Sequence, residues 1–255
     1  MTTLAHALRE RHGSALAQRT AQEYAVLLLP HLRPGLALLD LGCGPGSITL
    51  GLAEAVAPGR TVAVDLDPGL PDGIDGVTVL CADACDLPCP DNSFDAIYAS
   101  ALLQHLPDPA AALREAYRVA RPGAVICVVD ADWGGSLVWP EDPLVLASFD
   151  LMARTRTGSP HVGRQLRGLL AEAGFQRCEA RAVARHHGTP DEVRGFASFT
   201  ARWFSTSTLT DPVVARGWAT PEELTATHDA WLAWGEQPGA FFAGFWCEAI
   251  GWADK

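Results

Sequence analysis

The sequence predicts an α/β fold, a doubly wound and mainly parallel sheet with helices on both faces. Three observations carry this. The apolar run Leu36 to Leu41 enters Gly42-Cys43-Gly44-Pro45-Gly46, after which a helical pattern begins at Ser47. Short apolar runs then alternate with helical patterns as far as Asp130, the signature of parallel strands joined by crossover helices. Finally, Asp40, Asp65, Asp83, Ser100 and Asp130 lie at or just past the carboxyl ends of those runs, where sheets of this class bind ligands.

The first strand is led by Pro34-Gly35 and is apolar throughout, as suits a strand buried on both faces. The glycines behind it permit a tight turn and bring backbone N–H groups close to a ligand. The helix from Ser47 to about Val56 points its positive end at that turn. Thr61 to Val64 is the second strand and ends at Asp65; Val77 to Cys81 is the third and Phe94 to Ser100 the fourth. Pro107 to Val119 reads as a helix stopped by Arg121-Pro122-Gly123, and Ala124 to Asp130 as the fifth strand.

Beyond Asp130 the pattern predicts a loop over 131–140 and helices over 143–157 and 161–173, the last ended by Gly174. Phe175 to Arg185 and Ala240 to Trp252 supply a sixth and a seventh strand, with an inserted helical cap over 190–237 between them. Ahead of the sheet, Leu4 to about Leu32 has helical apolar faces, divided at Gly13-Ser14 with Ser14 as a cap. The domain reading is N-terminal helices over 1–34, a core over 35–186 and 240–255, and a cap over 187–239.

At 255 residues and 48% hydrophobic content, the chain can bury a sizeable core. Its net charge of −11 argues against nucleic acid, which requires a basic face. Arginine carries almost all the basic charge, Lys255 being the sole lysine, so no polybasic membrane patch is expected. No apolar run reaches the length of a membrane span, and the polar N-terminus lacks a signal-peptide core. These features predict a cytoplasmic protein with reduced thiols. Cys81, Cys85 and Cys89 recur at C-x3-C-x3-C, with Pro88 and Pro90 breaking any helix that would align them; no metal site is assigned.

The glycine turn alone leaves the ligand open. A dinucleotide (Rossmann) fingerprint reads G-x-G-x-x-G with an acid about 20 residues on. Here the third glycine falls one residue early, while the distal acid is present as Asp65. The segments LLDLGCGPG, VAVDLDP, CADACDLPCPDNSFDAIYASALLQHLPDP and LREAYRVARPGAVICVVDAD, taken in order, resemble the class I S-adenosylmethionine-dependent methyltransferases, and within them the UbiE-like small-molecule enzymes. The resemblance spans Leu36 to Asp132 and extends more loosely to both sides.

The resemblance implies a seven-stranded Rossmann-like core whose seventh strand forms an antiparallel edge, with S-adenosylmethionine as cofactor and S-adenosylhomocysteine as product. It places Asp65 on the ribose hydroxyls, Leu66 beside the adenine, and Asp83 and Ala84 at the adenine edge. Gly42, Cys43 and Gly44 would face the methionine portion and Asp40 would anchor the glycine turn or the amino group of that portion, with Ser100 and Arg19 also at the cofactor and Thr20 near it. His105, just past the fourth strand, is the candidate catalytic residue, as a general base or as a wall of the pocket. Asp130, Asp132, Trp133, Trp203 and Phe204 are candidate acceptor contacts.

All eight tryptophans follow Asp132. Packing of the extra helices accounts for most of them, a flat apolar pocket for a few, and a homodimer interface is a third reading. The function expected is methyl transfer to a small apolar or aromatic metabolite, with alignment of the reacting groups as the main catalytic effect. The alternative is a cyclase-like or regulatory protein that binds the same cofactor without transferring its methyl. A nicotinamide oxidoreductase is disfavoured by the early third glycine.

Overall fold

The structure, a computed structural model, describes residues 18–255. Seven strands form one sheet: β1 (Leu38–Leu41), β2 (Thr61–Asp65), β3 (Val77–Cys81), β4 (Phe94–Ser100), β5 (Ala120–Trp139), β6 (Gln176–His187) and β7 (Phe241–Trp252). Their spatial order is β3-β2-β1-β4-β5-β7-β6. β1 pairs in parallel with both β2 and β4, so the chain winds outward in two directions from the seam between β1 and β4. That seam is the topological switch point, where doubly wound sheets open a crevice for ligands.

Period-two alternation assigns the strands' side chains to two cores. Leu38, Tyr98, Cys127 and Val129 face α2 (Ser47–Val56), packing with Leu52 and Val56. Leu39, Leu41, Ile97 and Ile126 face the other way, against Leu113 and Ala116 of α3 (Pro109–Val119) and Leu170 of α5 (Leu166–Glu172). With both faces covered, β1 is buried along its whole length. Asp108 caps α3 by accepting from the Ala111 amide, one residue later than the Pro107 start read from sequence.

Four expectations need correction. β5 continues to Trp139 where a loop was expected over 131–140. Residues 136–139 pair with Phe241–Gly244 of β7 across an irregularity between Asp132 and Ser136; Gly134-Gly135 sits in this bulge. The strand depends on a partner a hundred residues away, which local pattern does not report. β7 is not the edge: it lies between β5 and β6, antiparallel to both. The edge on this side falls to β6, whose Arg177 and Arg181 suit a solvent-facing strand.

The helix expected over 161–173 opens as a 3-10 turn at Gly163–Gln165 and is α-helical only over Leu166–Glu172. At the N-terminal side, the described part of the long helix expected to reach Leu32 holds α1 (Ala21–Tyr24), capped by Thr20, and a 3-10 turn at Leu29–His31 with Pro30 at its start. The helices expected before residue 18 and the Ser14 cap lie outside the described residues.

The cap is present between β6 and β7 as α6 (Pro190–Trp203), α7 (Ser207–Ala215) and α8 (Pro221–Gly235). Thr189 and Thr220 open α6 and α8 with reciprocal bonds to Glu192 and Glu223. Its core centres on Trp231 and Trp234 and also takes Val145 and Met152 from α4 (Pro143–Arg154). The Trp231 indole donates to Ser148 Oγ at 3.0 Å and that of Trp234 to the Pro140 carbonyl at 2.9 Å. Packing is thus the role of most late aromatics. No helix among the described residues is long and apolar enough to cross a membrane.

Candidate cofactor site

The glycine turn leaves β1 with Gly42, Gly44 and Gly46 all at positive φ, a region that side chains disfavour. Two of them serve different ends. A Cβ on Gly46 would lie 2.1 Å from Leu70 Cγ, so this glycine is required by packing; a Cβ on Gly44 would meet nothing within 4 Å. Gly44 therefore presents bare backbone to open space. The turn is pinned to β2 by the Gly42 and Cys43 amides, both donating to the Val64 carbonyl, and by the Gly44 amide, donating to Asp65 Oδ2 at 2.8 Å.

Asp65 also accepts from the Asp67 amide at 3.0 Å. A carboxylate has about four acceptor directions, so both oxygens keep capacity for a ligand. Behind it, Asp40 is 3% exposed and accepts from Thr49 Oγ1 at 2.5 Å. Burial pushes its carboxyl up to about 7; the Thr49 bond opposes this and the nearby Asp65 adds to it. Thr49 is three residues beyond the glycine turn and is a partner that sequence reasoning missed.

A cavity of about 350 Å³ runs along the carboxyl ends of β1, β2 and β4. It brings together Arg19, Asp40, Gly42, Cys43, Gly44, Asp65, Leu66, Asp83, Ala84, Ser100 and His105. Leu66 is 68% exposed there, an apolar side chain left open on the cavity wall. Asp83 accepts from the Cys85 amide at 2.8 Å, so it is an Asx-turn residue and a lining residue at once. Ser100 Oγ at the tip of β4 is buried with no hydrogen-bond partner, and Ala101 beside it holds a φ of 55°. Such strain concentrates at functional sites. Arg19 stacks on Tyr24 and Trp246, 4.8 and 4.4 Å from the ring centroids. Thr20, by contrast, caps α1 and does not line the cavity.

The family model for a methyltransferase domain matches residues 39–128, the segment that builds this cavity. A demethylmenaquinone methyltransferase of Lactiplantibacillus plantarum is 34% identical over 194 residues, covering 63% of this chain and 81% of that protein. The chain belongs to the class I S-adenosylmethionine-dependent methyltransferases, on their UbiE-like branch. A chloroplastic 2-methyl-6-phytyl-1,4-hydroquinone methyltransferase of Oryza sativa is 32% identical over 72% of this chain and 56% of its own length. The chain spans 56% to 63% of the lengths of three curated relatives it matches. A methyltransferase structure from Bacillus halodurans superposes with a TM-score of 0.59 at 18% identity, over 94% of this chain and 99% of that one. At that identity the likeness is one of fold.

The residues present fit the family's cofactor. Open space over Gly44, spare acceptor directions on Asp65 and the unpaired Ser100 hydroxyl all face one cavity. Asp40 lines the same cavity with its carboxyl. Sequence reasoning missed Ser47, Ile48, Tyr98 and Leu102, which also line it. Ser47 and Ile48 directly follow the turn and were within reach of the motif; Tyr98 is an apolar-pattern strand residue with no separate signal.

On the acceptor side the expected set divides. His105 ends a 3-10 turn, Leu103–His105, that follows β4. It retains an exposed edge, yet its imidazole is pushed down to about 4 by removal from water and by the charge of Arg156. The ring is therefore neutral at ordinary pH and a weak base. Asp130 and Asp132, expected at the acceptor, are engaged elsewhere. Asp130 is 1% exposed and accepts from the Gln104 and Ala131 amides, bracing the His105 turn. Burial raises its carboxyl to about 7. Asp132 is held by the Arg164 guanidinium at 2.6 and 2.7 Å and by the Gly134 amide. Phe204, also expected there, is 2% exposed in the cap core. Trp133 and Trp203 do meet, across Arg156, a residue that no sequence motif marked.

Proposed function

We propose that this chain transfers a methyl group from S-adenosylmethionine to a small apolar or aromatic acceptor, leaving S-adenosylhomocysteine. The carrying observation is the join between Gly44 and Asp65, which sets a bare backbone turn and a carboxylate with spare acceptor directions on one cavity wall. Asp65 takes the ribose hydroxyls, Leu66 and Ala84 flank the adenine, Asp83 reads its edge, and Gly42 to Gly44 cradle the methionine portion. Arg19 lines the cavity and Ser100 donates its free hydroxyl.

When bound, S-adenosylmethionine supplies an electrophilic methyl on a sulfonium. The chain's own work is alignment: it holds the acceptor atom in line, keeps water out, and leaves the acceptor's proton to solvent or to the acceptor's own ionised state. Alignment alone accounts for large rate factors when both reactants are held. The relatives named for demethylmenaquinone and a phytylhydroquinone support a flat, apolar acceptor.

The test is incubation with S-adenosylmethionine carrying a deuterated methyl and a small-molecule extract of the source cells, followed by mass spectrometry. A labelled product that is absent with Asp65→Ala establishes transfer. S-adenosylhomocysteine bound in a parallel titration but no labelled product favours a cofactor-binding protein that transfers no methyl, and no binding at all overturns the reading.

A further inference from the structure

The Arg156 guanidinium lies 4.5 Å from the Trp133 ring centroid and 4.9 Å from that of Trp203. Trp133 comes from the bulged part of β5 and Trp203 from the last turn of α6, so Arg156 sits where the core meets the cap. Trp133 is fixed by donating its indole N–H to Gln104 Oε1 at 2.9 Å, beside His105. The Arg156 loop is docked on the same turn: the Thr157 hydroxyl donates to the His105 carbonyl and the Gly158 amide to that of Gln104.

What this arginine lacks is an anion. Its Nε is buried without a hydrogen-bond partner, and among the described residues no carboxylate lies within ion-pair distance of it. By contrast, Arg164 pairs with Asp132 and Arg154 with Asp150, whereas Arg19 shares the pattern of ring contacts without a carboxylate among the described residues. Asp130 acts on Arg156 only at a distance, and its oxygens already take backbone amides. In a chain of net charge −11, an unpaired guanidinium drawn out of water is costly unless something completes it. Cation–π contacts offset part of that cost but leave the buried Nε–H without a partner, and no carboxylate among the described residues meets the outer N–H edge. A guanidinium flanked by two indole rings offers its N–H edge to a planar partner.

We propose that Arg156 binds an anionic oxygen of the acceptor, so that the methylated metabolite is an aromatic or apolar molecule bearing a carboxylate or an ionised phenolic or enolic hydroxyl. This rests on the methyltransferase reading of the neighbouring cavity. Trp133 and Trp203 then hold the arginine and cover the flat body of the acceptor, with His105 between this subsite and the cofactor cavity.

The test titrates the full chain, saturated with S-adenosylhomocysteine, with three probes at pH 8.5: salicylate, 4-nitrophenolate and the neutral benzamide. Isothermal titration calorimetry reports binding, and Arg156→Met and Arg156→Lys are compared with the unaltered protein. The unaltered protein should prefer an anionic probe over benzamide by tenfold or more; Arg156→Met should abolish that preference and Arg156→Lys should restore part of it. Preference for salicylate alone assigns a carboxylate, preference for 4-nitrophenolate alone a phenolic oxygen, and both support the subsite. Affinity for S-adenosylhomocysteine should stay within twofold in both variants, with melting temperatures no lower than the unaltered protein's.

Three results overturn the proposal: no anion preference in the unaltered protein, a preference that survives Arg156→Met, or a melting temperature that collapses in Arg156→Met and returns in Arg156→Lys without any anion effect. The last would make the arginine a structural strut. Failure to bind S-adenosylhomocysteine at all would instead remove the cofactor reading beneath it.

Discussion

The Gly44 amide donates to Asp65 Oδ2 at 2.8 Å, tying the turn that leaves β1 to the acid that closes β2, 21 residues later. The bond shapes the cavity and orients the carboxylate in one step. Asp65→Ala should weaken S-adenosylhomocysteine binding by about a hundredfold or more, since two hydrogen bonds to a charged acceptor are worth about 1.5–3 kcal/mol each. Asp65→Asn should be nearly as damaging. Both oxygens already accept backbone amides, and an asparagine NH2 group must face one of those donors whichever way it is flipped. Calorimetric titration checks this; an Asn variant with native affinity would remove the carboxylate from the proposed ribose contact.

Gly44 and Gly46 differ in what surrounds them, and their alanine variants should fail differently. Gly46→Ala drives a methyl into Leu70 and also carries backbone strain at a φ of 76°, so a loss of more than about 2 kcal/mol in urea unfolding is expected. Gly44→Ala meets no neighbour, so its stability cost should stay near the roughly 1–2 kcal/mol of left-handed backbone strain. Its methyl would occupy the space over the turn and reduce cofactor affinity at least tenfold. Equal effects of the two changes on both measurements would contradict this division.

Much of this site was legible because it is local. The glycine turn, Asp65 and the Asp83-Ala84 pair each follow directly on a strand, and a strand's end is visible in the period of its apolar residues. The parts that escaped are long-range. Residues 136–139 read as loop until Phe241–Gly244 supply their ladder. Asp132 has the look of a free strand-end acid until Arg164, 32 residues on, saturates it. Arg156 stands in an unremarkable Thr-Arg-Thr segment, and only the meeting of β5 with α6 places two indoles against it. Phe204 and Trp203 are adjacent in sequence yet fall one in the cap core and one on Arg156, a division made by helix rotation against a partner.

Asp40 should make stability fall as pH rises. Its folded carboxyl titrates near 7, against 3.8 as the ordinary value. Between about pH 4 and 7 the folded state therefore holds more protons than the unfolded state, so raising the pH through this window costs stability, and the loss levels off above 7. Asp130 acts in the same direction. Asp40→Asn removes the ionisation while keeping an acceptor for Thr49, so it should gain about 1–3 kcal/mol at pH 8 and roughly a third of that at pH 5. Urea melts at both values check it; a gain independent of pH would assign the effect to packing.

The cap rests on a small number of buried aromatic contacts. Trp231 is fully buried, stacks edgewise on Phe149 and Phe196, and donates to Ser148. Trp231→Ala should cost about 3–5 kcal/mol through the cavity it leaves. Ser148→Ala strands the indole N–H and should cost about 1–3 kcal/mol. Cofactor affinity should be unchanged in Ser148→Ala, because neither residue lines the cofactor cavity. Paired melts and titrations separate the two readouts.

His105 lines the cavity, and the two roles open to it predict different kinetics. A general base would have to take the acceptor's proton in the transition state, and its removal would cost about 10²- to 10⁴-fold in rate. An imidazole pushed down to about 4 is a poor match for that work near neutrality, where a base poised close to the working pH is most effective. The lowered value also fixes the sign of its titration: the ring is uncharged above about pH 5, and no limb belonging to it should appear in kcat/KM between pH 6 and 8. His105→Gln preserves a polar side chain of similar length and should keep kcat within about tenfold if the ring shapes the pocket. A wild-type acid limb near pH 6.5 that vanishes in His105→Gln, together with a hundredfold loss in kcat, would instead establish the base.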